Sequence, residues 1–285
     1  MKIENIKITC HDGFVLAATL YIPQKLKAAV IIGTATGIKR GFYHSFASYL
    51  AENGYGVISY DNRCIGDSIQ NNINNGNASL ITWGSLDMPA VMEKLKMSFP
   101  NTKYHILGHS AGGQLIGLMP NYKDIASVFN IACSSGSVRN MKMPYRLKAI
   151  FFMRVFIPLN VLFFNKSNSQ WLGMGEPLPK HVAKQWAKWC NGVGYIATDF
   201  GKAVKTHYYN EINIPAQWIY ATDDDIANEN NVKDMIRVFP NMKAEIIALN
   251  PKDYNLSEIG HMKFFSTKSK QLWSLAIEWF EKNTK

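Results

Sequence analysis

The sequence predicts an α/β fold: a mostly parallel sheet covered by helices on both faces, with a helical segment inserted late in the chain. Three observations carry this. Short, continuously apolar runs recur, such as "AAVIIG" (28–33) and "YGVISY" (55–60), and strands buried on both faces read this way. Between them lie stretches with apolar residues at helical spacing, the alternation of parallel strands joined by helical crossovers. Finally, about 80 residues between the runs ending near 133 and beginning near 216 break the alternation and are rich in Phe, Trp and Met.

The elements follow in order. "KITCHDGFVLAATLYIP" reads as a hairpin around His11-Asp12-Gly13. After the run 28–33, helical spacing over 42–53 stops at Gly54, a C-cap residue. The strand 55–60 precedes helix-period apolar positions over 79–99, where Pro89 threatens continuity. "YHILG" (104–108) is the next strand, and a helical stretch opens at Ala111. "ASVFNIAC" (126–133), "AQWIYA" (216–221) and "KAEIIAL" (243–249) complete the strands, and an amphipathic helix spans about 269–283. No internal repeat or low-complexity tract is visible. The expected division is a core of residues 1–137 and 211–285, with residues 138–210 as an inserted helical cap.

Composition narrows the function classes. Of 285 residues, 47% are hydrophobic and 18% charged, a balance that can bury a sizeable core. The formal net charge is +10, but Lys and Arg are scattered without a run of five or six like charges, so no nucleic-acid partner is expected. The four cysteines, Cys10, Cys64, Cys133 and Cys190, are widely spaced and form no C-x-x-C pair. They fit free buried thiols in a reducing compartment better than zinc or dithiol chemistry. The first residues, "MKIENIKITC", lack the apolar stretch of a signal peptide, and a cytoplasmic location is expected. One segment, "AIFFMRVFIPLNVLFF" (149–164), resembles a membrane span. It holds Arg154, Pro158 and Asn160 and falls short of about 18 uninterrupted apolar residues.

The most specific motif is Gly108-His109-Ser110-Ala111-Gly112, which fits G-x-S-x-G after a buried strand and at the start of a helical stretch. That context suits a serine on a sharp, strained turn with its Oγ projecting above the sheet. Small residues on either side let strand and helix approach closely. The Ala111 N–H then points at developing negative charge, helped by the helix dipole.

With this motif, "YDNRCIGDS" (60–68), "TWGSLDMPAVMEKL" and "GMGEPLPKHVAKQWAKWC", the chain resembles the α/β-hydrolase family over nearly its whole length. The likeness is to a bacterial subgroup near the serine-aminopeptidase and monoglyceride-lipase-like branch. "YDNRCIGDS" is similar to the family's D-x-R-G-x-G-x-S loop but carries Cys64 where glycine is usual. The resemblance implies a catalytic triad of Ser110, an acid and a histidine, in that chain order. Of seven histidines, His261 in "SEIGHMKFF" stands where the family's base does, whereas His109, beside the serine, points elsewhere. The acid falls in "ATDDDIA", where Asp224 aligns with the family's acid and Asp223 and Asp225 flank it. A metal at the three aspartates is not expected, because no D-x-D-x-D-G loop is present. The second oxyanion donor, beside Ala111, maps to Thr36 in "GTATGIK", with Gly37 as the fallback, since the usual His-Gly is replaced by Thr34-Ala35.

The implied activity is serine hydrolysis of carboxylic esters, lipid-like or aromatic, through an acyl-enzyme, with a small-molecule ester as partner and no cofactor. Peptidase, thioesterase, acyltransferase and a non-catalytic ligand-binding protein on the same scaffold are the alternatives. The apolar helical stripes of the cap are expected to line the pocket. Pure core packing and membrane-surface contact are the less favoured readings, and oligomeric state is not legible.

Overall fold

The computed structural model describes residues 1–74 and 77–285. Its strands are β1 (Lys2–Thr9), β2 (Val15–Ile22), β3 (Ala28–Gly33), β4 (Tyr55–Tyr60), β5 (Tyr104–His109), β6 (Ile125–Ile131), β7 (Lys166–Ser167), β8 (Leu178–Pro179), β9 (Pro215–Ala221) and β10 (Lys243–Leu249). Eight of them form one sheet in the order β1-β2-β4-β3-β5-β6-β9-β10. β2 is antiparallel to both neighbours, and every pair from β4 to β10 is parallel, giving the mostly parallel sheet expected. β3 and β4 are buried at every residue, and β5 at every residue but its first, because helices pack on both faces.

Pro89 does not break its helix. The turn before it widens into a π-turn over Trp83–Asp87, and an α-helix then runs Met88–Ser98 with the proline at its start, where no N–H is missed. The same device precedes Pro158: a π-turn spans Phe152–Phe156 within the helix Tyr145–Phe164.

Cys64 shows why glycine is usual in the loop after β4. Its φ is +64°, a left-handed conformation that a side chain makes unfavourable. The loop is held by buried charge: the Arg63 guanidinium meets Asp87 at 2.7 Å and Asp12 at 2.6 Å. All four cysteines are buried.

Residues 138–210 leave the sheet after β6 and return before β9. They contain the helix Tyr145–Phe164, the two-residue ladder β7–β8 and the helix Lys180–Asn191. The two helices pack through Phe152 against Trp186, edge to face at 5.6 Å. The C-terminal helix begins later than expected. A 3₁₀ segment occupies Thr267–Leu272, and the α-helix runs Ser274–Thr284.

Candidate active site

Ser110 follows β5 directly, at φ +49° and ψ −115°. A serine held there costs about 1–3 kcal/mol, which the surrounding packing must supply. Bare backbone makes the turn possible. A Cβ on Gly108 would lie 2.4 Å from the Gly113 Cα, and one on Gly112 would lie 2.1 Å from the Gly33 carbonyl oxygen. β5, the end of β3 and the segment after Ser110 thus meet at backbone contact. The Ser110 N–H donates to the Ile131 carbonyl at 3.0 Å, which fixes the turn to β6.

The helix after Ser110 is a single turn, Ala111–Gln114, followed by a 3₁₀ turn at Ile116–Leu118. A single turn carries little of the helix dipole that the sequence reading invoked at this point.

The acidic triplet divides its work. Asp224 is 4% exposed. Its Oδ2 lies 2.8 Å from His261 Nδ1, and its Oδ1 accepts the N–H groups of Ile226 and Ala227 at 2.8 and 2.9 Å. Asp223 instead accepts the N–H groups of Ile259 and Gly260, both at 3.0 Å. One carboxylate holds the imidazole and its neighbour holds the backbone that delivers it. Asp225 is exposed. Among the described residues no group of three or more His, Cys, Asp or Glu side chains gathers as a metal site.

Burial works against charge on both members of the His261–Asp224 pair, but each charge favours the other. The Asp224 carboxyl sits below the usual carboxylate range, because the His261 charge and three hydrogen bonds outweigh its desolvation. The His261 imidazole sits above the ordinary histidine value, because Asp224 outweighs its burial. An ionised carboxylate only accepts, so Nδ1 carries the proton and Nε2 is left with its lone pair in the neutral ring.

His109 was expected to point elsewhere, and it does, with a purpose the sequence reading missed. The Ala35 N–H donates to the Tyr43 hydroxyl oxygen at 3.0 Å. That hydroxyl lies 2.7 Å from His109 Nδ1, and His109 Nε2 lies 2.9 Å from the His261 carbonyl oxygen. A carbonyl only accepts, so Nε2 carries the proton, Nδ1 accepts, and the Tyr43 O–H donates to it. Complete burial, with His261 nearby, pushes the His109 pKa down to about 3, so the ring is neutral. The available signal was general: a histidine inside a buried strand must find partners for both nitrogens.

This run of hydrogen bonds also reaches the loop after β3. The Ala35 N–H is spent on Tyr43, while Thr36 lines the same cavity as Ser110 and His261. Gly37 turns its carbonyl to the Glu176 N–H at 2.7 Å, tying the loop after β3 to residues 138–210. The cavity measures about 700 Å³. Its walls are mainly apolar side chains from 138–210, among them Tyr145, Phe152, Met153 and Trp186. Lys148 is its charged contribution from that segment.

Residues 24–250 match the family described as serine aminopeptidase, S33. The chain belongs to that family. No curated protein matches this S33-family chain. Among solved structures, DcsB in complex with its substrate analogue is similar with a TM-score of 0.67 at 12% identity, covering 99% of this chain and 100% of the other. An esterase from Pyrococcus furiosus is similar with a TM-score of 0.64 at 17% identity, covering 100% and 92%. A thermophilic esterase from Thermogutta terrifontis, malate bound, gives 0.63 at 14% identity, covering 99% and 100%. At such identities the likeness establishes the α/β-hydrolase fold of this S33-family member.

Proposed function

We propose that the protein is a serine hydrolase that cleaves carboxylic esters through an acyl-enzyme, with Ser110, His261 and Asp224 as its triad. The reading rests above all on one arrangement: a serine on a strained turn shares an apolar cavity with a histidine whose far nitrogen is held by a buried carboxylate.

In this mechanism His261 Nε2 takes the proton from Ser110 as Oγ attacks the acyl carbon. Asp224 keeps the ring in the tautomer with its proton on Nδ1 and stabilises the cation that forms. The N–H groups of Ala111 and Thr36 receive the oxyanion. His261 then returns the proton to the leaving alcohol, and water, activated by the same nitrogen, releases the acid. Residues 138–210 act as the cap, and their apolar side chains hold the acyl or aromatic part of the substrate.

The family's description raises a peptidase reading, and the lining favours the ester. An aminopeptidase must neutralise a free α-ammonium. Here the charged side chain contributed from 138–210 is Lys148, of the wrong sign, among apolar neighbours.

Fluorophosphonate labelling of the protein and of Ser110→Ala, followed by p-nitrophenyl esters and aminoacyl p-nitroanilides, tests the proposal. Labelling confined to the unsubstituted protein, with ester turnover exceeding anilide turnover, is expected. No labelling would sink the serine-hydrolase reading, and faster anilide cleavage would replace ester by peptide.

A further inference from the structure

The helix Tyr145–Phe164 is long and apolar enough to cross a membrane by length and composition, yet only 28% of its most apolar window is buried. Its inner face packs normally: Ala149, Phe152, Met153, Ile157 and Val161 are all buried. Its outer face is also apolar and is uncovered. Leu147, Phe151, Val155 and Leu159 recur at four-residue steps, and Leu162 and Phe163 extend the row at 74% and 72% exposure. Trp171, at 60% exposure, adds to this surface, its ring set edge-on to Phe164 at 5.5 Å. A helix apolar all round belongs in a core or against lipid, and a contiguous exposed patch of this kind marks an interaction surface.

Charge selects the occupant. Residues 138–210 hold eleven Lys and Arg but only two acids, Glu176 and Asp199. The rest of the chain holds 20 bases and 19 acids, so nearly all of the net +10 sits in this one segment. Both acids are already paired, Glu176 with Lys39 and Asp199 with Lys188. No acid occurs anywhere from residue 125 to 175, while Lys142, Arg146, Lys148 and Arg154 flank the apolar row and are exposed. A second copy docking face to face would bring two such positive segments together. An anionic lipid surface supplies both the apolar phase and the opposite charge.

The helix is tied into the fold along its length rather than free to cross a bilayer. The Asn160 side chain accepts the Asn168 N–H and Nδ2 at 3.1 Å, and Arg154 donates to Asn191 at 2.7 Å. Leu147, Phe151 and Leu172 are exposed on this face and also line the cavity of Ser110 and His261.

We propose that the face formed by Leu147, Phe151, Leu159, Leu162, Phe163 and Trp171 docks the protein onto an anionic lipid surface, with the helix in the plane of the interface and the cavity mouth turned to the lipid. Resting on the ester-hydrolase reading, the substrate class becomes amphiphilic esters taken from that surface; the docking itself does not depend on catalysis.

The test is flotation of the full-length Ser110→Ala protein with phosphatidylglycerol-containing vesicles and with pure phosphatidylcholine vesicles. Binding to the anionic vesicles is expected, at least ~10-fold weaker on the neutral ones and in high salt. Leu162→Glu with Phe163→Glu, both fully on the outer face, lowers vesicle partition at least ~10-fold. The same pair in the Ser110 background keeps its melting temperature and its rate of fluorophosphonate labelling in solution, which separates lost docking from lost folding. Absence of binding to anionic vesicles, or equal binding by the double variant, overturns the proposal. A dimer that the double variant dissociates, without vesicle binding, assigns the face to a second copy instead. Vesicle binding without any labelling upholds the docking and sinks the hydrolase reading alone.

Discussion

His109 Nε2 stands 2.9 Å from the backbone carbonyl oxygen of His261. The residue before Ser110 thus holds the loop that carries His261, and through Tyr43 it holds the loop of Ala35 and Thr36 as well. Three loops from distant parts of the sequence meet on one neutral imidazole.

Replacing His109 by Leu removes both hydrogen bonds. Since a misplacement of about 1 Å can cost about 10² in rate, kcat is expected to fall about 10²-fold with KM little changed. A rise in KM at constant kcat would show that His109 shapes the pocket rather than positioning the base.

The two adjacent aspartates separate cleanly by substitution. Asp224→Asn is expected to lower kcat by about 10⁴, because the amide favours the wrong tautomer of His261. Asp223→Asn keeps one acceptor oxygen for the Ile259 and Gly260 N–H groups and is expected to lose at most about 1–3 kcal/mol of stability. Steady-state kinetics and urea melts on both variants check this; an inactive Asp223→Asn beside an active Asp224→Asn reverses the assignment.

The rate should depend on pH through His261. A general base works only when neutral, and Asp224 holds this ring above the ordinary histidine value. The acid limb of kcat/KM is therefore expected above pH 6.5 and to move down on Asp224→Asn. A limb below 6 in the unsubstituted protein contradicts the pairing.

Stability should fall on mild acidification through two buried histidines. Burial lowers the pKa of His105 to about 4 and that of His109 to about 3, so folding keeps both rings neutral. The unfolded chain binds those protons near pH 6.5, and unfolding therefore takes them up as pH drops from 6.5 toward 4. Together they remove roughly 3 kcal/mol per pH unit at the top of that window. Below about pH 6 the buried Asp87 carboxyl, which desolvation pushes up to about 6, takes its proton in the folded state and offsets part of that loss. His261, raised rather than lowered, acts above that window and in the opposite sense. Urea denaturation at pH 7.0, 5.5 and 4.5 measures the slope, which His105→Gln should lower by at least half; a flat profile in the unsubstituted protein refutes the neutral-histidine account.

Gly112→Ala would set a Cβ 2.1 Å from the Gly33 carbonyl oxygen, backbone against backbone. The cost is expected to reach about 3 kcal/mol or more, at the upper end for overpacking. An unchanged denaturation midpoint would show that β3 and the elbow can part.

The parallel strands were legible because burial on both faces leaves continuous apolar runs, and a run such as 28–33 needs no partner to be recognised. Family order singled out Ser110, Asp224 and His261; the fold sets Asp224 against the His261 ring and lines one cavity with Ser110 and His261, while Asp223 turns to backbone N–H groups. Less visible were features set by tertiary contact. The π-turns before Pro89 and Pro158 depend on helix packing, and the roles of Tyr43 and Asp223 need the fold to bring them to their partners. The outer face of Tyr145–Phe164 was hidden for the same reason: apolar residues at helical spacing look alike whether a neighbour covers them or not.

The contact between Gly33 and Gly112 has a consequence for how such a chain can change. Where two backbones touch, no substitution at one position can be absorbed by a smaller residue at the other, because both are already the smallest. Mutational drift can rewrite the helices, the loops and most of the cavity wall, but this seam has no compensating partner. The elbow is then fixed by a place where side chains are forbidden, more firmly than by any side chain it contains.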